Sequence, residues 1–306
     1  LVPVTAPTRA QALAVRDLVV GHLRRTPTIE VEVPDVGPVT LKLELLQHTG
    51  SFKPRGAFAA VLTAPTRPRL LVAASGGNHG LAVAHVGAQL AIPTRIFVPR
   101  TAPEVKVAGL HHLGADVRQV GDGYAQALEA SRVAAAEPGA LAVHAYDEPA
   151  TVLGQASLGL ELDEDPHDDV LVAVGGGGLL AGVAIGTRTT SRVVGVEPTR
   201  CDCLAAALAA GRAVGTRPGG VAADALGAST IGAIALQVAR RRGVRSVLVD
   251  DDEIREARRW LWRQVRVAAE PAGATALAAL LAGRYRPSGR CLVVICGGNA
   301  DPSDLT

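Results

Sequence analysis

Three stretches carry the reading of this chain: LVAASGGN at residues 71–78, LVAVGGGG at 171–178 and LVVICGGN at 292–299. In each, an aliphatic run suited to a buried parallel strand passes directly into glycine. In an open parallel sheet a ligand sits outside the carboxyl ends of the strands, and glycine there lets backbone amides approach it closely. Any one of these turns reads about as readily as an ordinary strand-to-helix connection. Three of them argue for a ligand crevice.

Around them, short β-branched or aliphatic runs alternate with Ala-rich amphipathic stretches, the pattern of parallel strands joined by helices, so the fold class is α/β. Strands are predicted at 39–44, 70–74, 95–98, 116–120, 170–174, 192–196, 246–249 and 291–295, and helices at 78–90, 103–112, 124–136, 151–162 and 251–267. Asp251 and Asp252 ahead of Ile254 suit a helix N-terminus, where carboxylates satisfy free amides. No low-complexity linker and no repeat of fixed period divides the chain.

Composition removes several classes of function. The 306 residues are 48% hydrophobic and 20% charged, a globular balance of about two domains' length. With no Met, two Trp, three Tyr and three Phe, the core must be built from Ala, Val and Leu, and few rings are free to stack on bases. The formal charge of +2 comes without a basic track, so no nucleic-acid partner is expected. Apolar runs fall far short of a membrane span. The first 25 residues lack the charged-then-apolar order of a signal peptide, so the expected location is cytoplasmic, with no membrane partner. Four cysteines without a C-x-x-C spacing provide neither a disulfide framework nor a zinc site; Cys201 and Cys203 read as small half-buried hydrophobes before they read as ligands.

The run Gly175, Gly176, Gly177, Gly178 follows a buried strand and opens an Ala- and Ile-rich helix. Four glycines lose much conformational entropy on folding, and a nest of free amides at a helix start gives a return by binding an anion. No Gly-Lys-Ser/Thr follows and the G-x-G-x-x-G spacing is absent, so the phosphate held here belongs to neither a nucleoside triphosphate nor NAD. A second unusual segment is TGSFKPRGA at 49–57. Lysine is scarce, and Lys53 stands between an aromatic residue and a proline ahead of an Ala-rich helix. Spacing alone makes it a surface lysine near a helix start; held in a desolvated site, a lysine can instead add to a carbonyl.

Six motifs, SFKPRGA (51–57), SGGNHG (75–80), GGGGLLAG (175–182), GVEP (195–198), EPAGATALAAL (270–280) and CGGN (296–299), occur in one order across nearly the whole chain. In this the chain resembles the fold-type II pyridoxal-phosphate enzymes, and within them the serine/threonine dehydratases. The resemblance implies a two-domain, tryptophan synthase β-like fold of mostly parallel sheets flanked by helices. Its larger, cofactor-binding domain would comprise 1–69 and 148–306, and its smaller, mobile domain 70–147. It implies pyridoxal 5'-phosphate as cofactor, an amino-acid substrate and a homodimer. The activity implied is β-elimination from L-threonine or L-serine, giving a 2-oxoacid and ammonia.

By the same resemblance Lys53 holds the cofactor as an internal aldimine and then acts as general base at Cα, while Phe52 lies against the pyridine ring. Gly175 to Gly178 bind the phosphate, which in turn protonates the leaving hydroxyl. Asn78 bonds the ring hydroxyl, and the turn of Ser75, Gly77, Asn78 and His79 grips the substrate carboxylate. Cys296 faces the pyridine nitrogen; a neutral group there makes the ring a weaker electron sink, which suits direct loss of a β-substituent. Glu197 matches a cation-site glutamate, with carbonyls near Cys201, Leu226 and Ala228 as companions. Because Cys203 stands where divalent-ion members have an aspartate, a monovalent ion, K+, is expected; the alternative is a solvent-facing Glu at a strand end.

Racemisation uses the same fold but needs a second base, and the position that carries a serine in the racemases is Gly76. β-Replacement enzymes have threonine where this turn has histidine. A pathway-specific dehydratase of an unusual β-hydroxy amino acid remains a third reading. Two departures from the family pattern are Ala156, where glycine is usual, and Tyr146, at a variable position near the cofactor.

Overall fold

The aliphatic runs become strands, but of two sheets. In the computed structural model, which describes residues 5–305, six strands form one sheet in the order β1-β2-β10-β7-β8-β9 and four form another in the order β5-β4-β3-β6. The larger sheet comprises β1 (Thr28–Val33), β2 (Gly37–Lys42), β7 (Asp169–Ala173), β8 (Arg192–Pro198), β9 (Arg245–Val249) and β10 (Cys291–Val294). The smaller comprises β3 (Leu70–Ala74), β4 (Thr94–Val98), β5 (Asp116–Gln119) and β6 (Ala140–Ala142). The β1/β2 hairpin is antiparallel and the remaining pairings are parallel, as expected where helices make the crossovers.

Those helices are α1 (Arg9–Val19), α2 (Pro54–Leu62), α3 (Asn78–Leu90), α4 (Glu104–His112), α5 (Tyr124–Ala135), α6 (Pro149–Leu162), α7 (Gly178–Gly186), α8 (Cys203–Ala210), α9 (Ala223–Leu226), α10 (Ala233–Arg242), α11 (Asp251–Val265) and α12 (Pro271–Leu281). The N-terminal segment forms α1, started by a Thr8/Gln11 capping box; the first four residues of the chain lie outside those described. Asp250 rather than Asp251 caps α11, with Asp251, Asp252 and Glu253 in the first turn next to the positive end of the dipole. α7 carries no charge and is buried on all sides, as a helix apolar all round must be. Among the described residues no helix is long and apolar enough to cross a membrane.

The main core is Ala, Val, Leu and Ile, with Phe58 fully enclosed. Trp260 packs into it, while Trp262 lies nearer the surface under the Arg266 guanidinium. A second, small cluster of Val72, Phe97, Ala127 and Ala134 sits under α5 on the four-stranded sheet. Ala156 is fully buried on α6, where Gly186 of α7 comes so close that a Cβ there would collide with the Ala156 carbonyl. That departure lies at a helix contact.

Two strands lie outside the sequence expectation. β1 alternates Thr, Glu and Glu with Ile and Val at the sheet margin and is mostly solvent-facing, and β6 is three residues of Ala-Leu-Ala; neither carries the continuous aliphatic signal of a buried strand. The three glycine turns follow β3, β7 and β10. β7 and β10 are paired in parallel, so their turns are neighbours, whereas β3 belongs to the other sheet. The crevice therefore lies between two sheets.

Candidate active site

Lys53 precedes α2, whose first residues are pinned from below. Arg55 is wholly buried, with Nε 2.7 Å and Nη2 2.8 Å from the two Glu44 carboxylate oxygens and Nη1 2.7 Å from Glu161 and 3.0 Å from Ser157 Oγ. Burial opposes the Arg55 charge, but Glu44 and Glu161 outweigh it and hold its pKa above the ordinary value. From above, the Phe52 amide donates to the Cys296 carbonyl at 3.1 Å, and Ser51 bridges to Gly297. The loop bearing Lys53 is thus tied to the turn after β10.

Three lysines occur in the chain, and their settings differ. Lys42 pairs with Glu161 at 2.8 Å and Lys106 with Asp224 at 2.5 Å. Lys53 instead donates to a neutral group, the Ala145 carbonyl, at 2.9 Å, with its Nζ 5.1 Å from the Phe52 ring centroid. Crowding by protein removes its water, and its pKa falls to about 8 although Cys296 and Glu270 pull the other way. At neutral pH roughly a tenth of it is free amine.

The Ala145 carbonyl is presented by a loop that His144 holds together: its Nδ1 accepts from the amides of Tyr146 (3.3 Å) and Asp147 (3.0 Å). Asp147 then receives the Ala233 and Ile234 amides at the start of α10. Tyr146 lies on the glycine run, where a Cβ at Gly176 would collide with its ring. Gly177 caps α7 at φ +86° with no side-chain bond, so the first-turn amides of α7 are left for an external acceptor. Gly77 caps α3 in the same way, with no side-chain bond. Two helix starts facing one crevice are uncapped, and each suits an anion.

The turn 75–79 shows a division of labour. Ser75 Oγ accepts the Gly77 amide at 3.2 Å. His79 turns inward, its Nε2 donating to the Val143 carbonyl at 2.8 Å; burial and nearby Lys53 lower its pKa to about 3. The imidazole is neutral with its N–H committed, so His79 offers an anion its backbone amide and not its ring. Asn78 reaches the other way, donating from Nδ2 to Glu270 Oε1 at 2.7 Å and accepting at Oδ1 from Asn299 Nδ2 at 2.7 Å. This one side chain links the small sheet's helix to the large sheet's turns.

Cys296 is buried, its thiol donating to the Ala272 carbonyl at 3.5 Å, and burial raises its pKa far above the ordinary value, so it stays neutral. A cavity of about 850 Å³ lies beside this site, lined by Glu270 and Asn299 together with Lys106 of α4 and Asp224 of α9; Lys53, Cys296 and the glycine run are not in its wall. Glu197 and Cys201 lie apart from Lys53's immediate neighbours. The Glu197 carboxylate caps α8, accepting from the Leu204 and Ala205 amides and from Ser246 Oγ at 2.6–2.8 Å, and burial lifts its pKa to about 7. Cys201 donates to the Gly219 carbonyl and Cys203 to the Gly175 carbonyl.

Glu270, Asn299, Ala145 and Arg55 receive no role from the sequence. The first two stand inside recognisable motifs, but their partners are 192 and 221 residues away. The residues present fit pyridoxal phosphate: an amine bonded to a carbonyl and not to a carboxylate, a helix start at Gly177 without a side-chain cap, and a neutral thiol.

Comparison with known proteins agrees. Residues 19–297 match the family described as "Pyridoxal-phosphate dependent enzyme". The catabolic L-threonine dehydratase of Escherichia coli K12 is 36% identical over 280 residues, 88% of this chain and 85% of that protein. The crystal structure of the T.th. threonine deaminase superposes with a TM-score of 0.88 at 31% identity, covering 96% of this chain and 99% of that one. Maize serine racemase superposes at 0.90 with 27% identity, covering 97% and 95%.

Proposed function

Because the chain belongs to the pyridoxal-phosphate-dependent enzyme family, we propose that it eliminates water from a β-hydroxy amino acid, L-threonine or L-serine, to give a 2-oxoacid and ammonia, with Lys53 as the residue that carries the cofactor. The observation that carries this is the Lys53 amine, held against a carbonyl and not an acid, with its pKa near 8.

When bound, the cofactor supplies a carbonyl carbon for amines to add to and a ring that delocalises the electrons left when Cα loses its proton. The chain's residues do the rest. Amides at the start of α7 take the phosphate and those at the start of α3 take the substrate carboxylate, each favoured by a helix dipole. Asn78 bonds the ring oxygen, and Phe52 packs against the ring. Lys53 Nζ, as free amine, accepts the Cα proton. The buried Cys296 thiol is neutral; standing toward the pyridine nitrogen it would lend that atom no charge, a setting that suits loss of the β-hydroxyl as water.

Racemisation is the second reading, and Gly76 weighs against it: a Cβ there would meet only Val98 Cγ1, at 3.4 Å, so the turn has room for a second base and lacks one. Residues 70–147 would move as a unit over 1–69 and 148–306, with the Lys106–Asp224 pair at the cavity rim as a contact that closure would remake. A monovalent cation at carbonyls beside Glu197 is part of the reading; indifference of activity to potassium against sodium after chelation removes it. A homodimer is the assembly we infer, supported by the exposed Leu13, Leu18 and Val20 near the N-terminus, and light scattering at monomer mass would overturn it. A cytoplasmic location completes the reading; export of tagged protein would overturn it.

The decisive experiment is borohydride reduction followed by peptide mapping, together with assay of oxoacid release from a panel of β-hydroxy amino acids. Wild type is expected to carry the label on Lys53, and Lys53→Ala to lose both label and turnover. Turnover retained in Lys53→Ala would sink the assignment.

A further inference from the structure

The Asn78 amide has its direction imposed from a distance. A backbone carbonyl can only accept, so the Thr49 carbonyl requires the nitrogen of Asn299 against it, at 2.7 Å. The second proton of that Nδ2 goes to Asn78, also at 2.7 Å, so the atom of Asn78 facing Asn299 must be Oδ1. The other end of the Asn78 amide is then Nδ2, which donates to Glu270 Oε1 at 2.7 Å. A flip at Asn78 would set nitrogen against nitrogen at the Asn299 end, and, with Glu270 ionised, oxygen against carboxylate at the other.

The local backbone supports this order. Thr49 is a β-branched residue at φ +61°, a conformation that costs free energy and persists where the surroundings impose it. Gly50, next to it at φ +73°, lies so close to Asn299 that a Cβ would collide with Asn299 Oδ1. Glu270 is 5% exposed, and its amide donates to the Gly297 carbonyl at 3.1 Å. The Nδ2 end of Asn78 thus lies on the Gly297 side, where Ser51 bridges and Lys53 follows two residues later.

We propose that the Thr49 carbonyl, Asn299 and Glu270 form a polarity clamp that keeps the N–H end of Asn78 toward Lys53, so that the cofactor's ring oxygen is received there by a donor and held as an anion. The clamp residues are positioning residues, acting through Asn78. The inference rests on Lys53 as the cofactor-bearing residue.

The test is the absorbance of bound cofactor, titrated with pH, in Asn299→Asp. An Asp at this site presents oxygen where nitrogen stood and favours the reversed Asn78 amide. The expected result is a shift of at least about tenfold in the ratio of ionised to neutral ring-oxygen bands toward neutral, the change that losing one hydrogen bond to a charged oxygen gives. Asn299→Ala, which releases the amide without reversing it, should shift the ratio in the same direction by less. Asn299→Asp in a Glu270→Gln background, measured against Glu270→Gln alone, should shift it further, because the carboxamide introduced by that background substitution can donate to the reversed oxygen. A merely structural role would lower cofactor occupancy and leave the ratio alone. A wild-type ratio in Asn299→Asp with cofactor bound at Lys53 overturns the clamp; if that variant does not fold, a wild-type ratio in Asn299→Ala does so. Wild-type protein that traps no cofactor at Lys53 overturns the underlying reading instead.

Discussion

Replacing Gly177 by alanine should damage stability and cofactor binding together, by amounts the structure separates. Gly177 has φ +86°, and a Cβ there would lie 2.5 Å from Ala235 Cβ and 2.6 Å from Ile231 Cδ1. Left-handed backbone costs alanine about 1–2 kcal/mol. Forcing a methyl against two packed side chains adds about 1–3 kcal/mol. Gly243 isolates the first contribution, since it has φ +62° and a Cβ there would meet nothing within 4 Å. Urea unfolding of the cofactor-free protein should therefore show a loss of about 1–2 kcal/mol for Gly243→Ala and about 2–5 kcal/mol for Gly177→Ala. If the loop relaxes to relieve the contact, its amides leave their common aim and cofactor affinity falls by at least about tenfold, roughly one hydrogen bond to a charged group. Fluorescence titration with pyridoxal phosphate measures that. Gly177→Ala matching Gly243→Ala in stability and wild type in affinity would mean that the cradle is an ordinary turn.

Removing the Lys53 amine should stabilise the cofactor-free chain. Its folded pKa, about 8, lies below the unfolded value, so the unfolded state binds more protons from about pH 8 to 10.5; stability rises with pH across that window, and the group is a cost below it. Lys53→Met is expected to be up to about 3 kcal/mol more stable at pH 7 and to lack that rise; equal pH profiles in denaturant melts would contradict the desolvation argument. Arg55→Ala strands the buried Glu44 carboxylate and should cost about 3–5 kcal/mol, with Arg55→Met/Glu44→Leu recovering most of it; a loss under about 1 kcal/mol by urea melt would count against the anchoring role. Gly76→Ser should fold, since its Cβ meets only Val98, and should raise D-serine relative to pyruvate from L-serine; an unchanged product ratio would show that the turn's side chain does not decide between the two reactions.

The helix Asn78–Leu90 and the strand Leu70–Ala74 are legible in the sequence to the residue, because Gly77 and Asn78 open the helix, Pro93 follows shortly after its end, and the strand is aliphatic throughout. β1 and β6 are not, for different reasons: Thr28–Val33 has the polar–apolar alternation of a half-buried strand and lacks the continuous aliphatic run of the buried ones, and three residues of Ala-Leu-Ala are too short to carry a period. His79 shows a different limit. Its place in SGGNHG marks a turn beside the site, but only the 2.8 Å contact with Val143 shows that the ring points inward.

Residue type and chain order were enough for the resemblance that implies the chemistry: a lysine in SFKPRGA, a four-glycine run, a cysteine in CGGN, and motifs in family order. These are local properties, carried by backbone freedom and functional groups that need no partner to be recognised. The assembled fold supplied what depends on distant neighbours. It split the glycine turns between two sheets, lowered the Lys53 pKa by crowding, spent the His79 N–H on Val143, and set the direction of Asn78 through Thr49 and Asn299. Protonation and amide orientation are decided by what lies within a few ångströms, and here those atoms come from segments up to 250 residues apart in the chain.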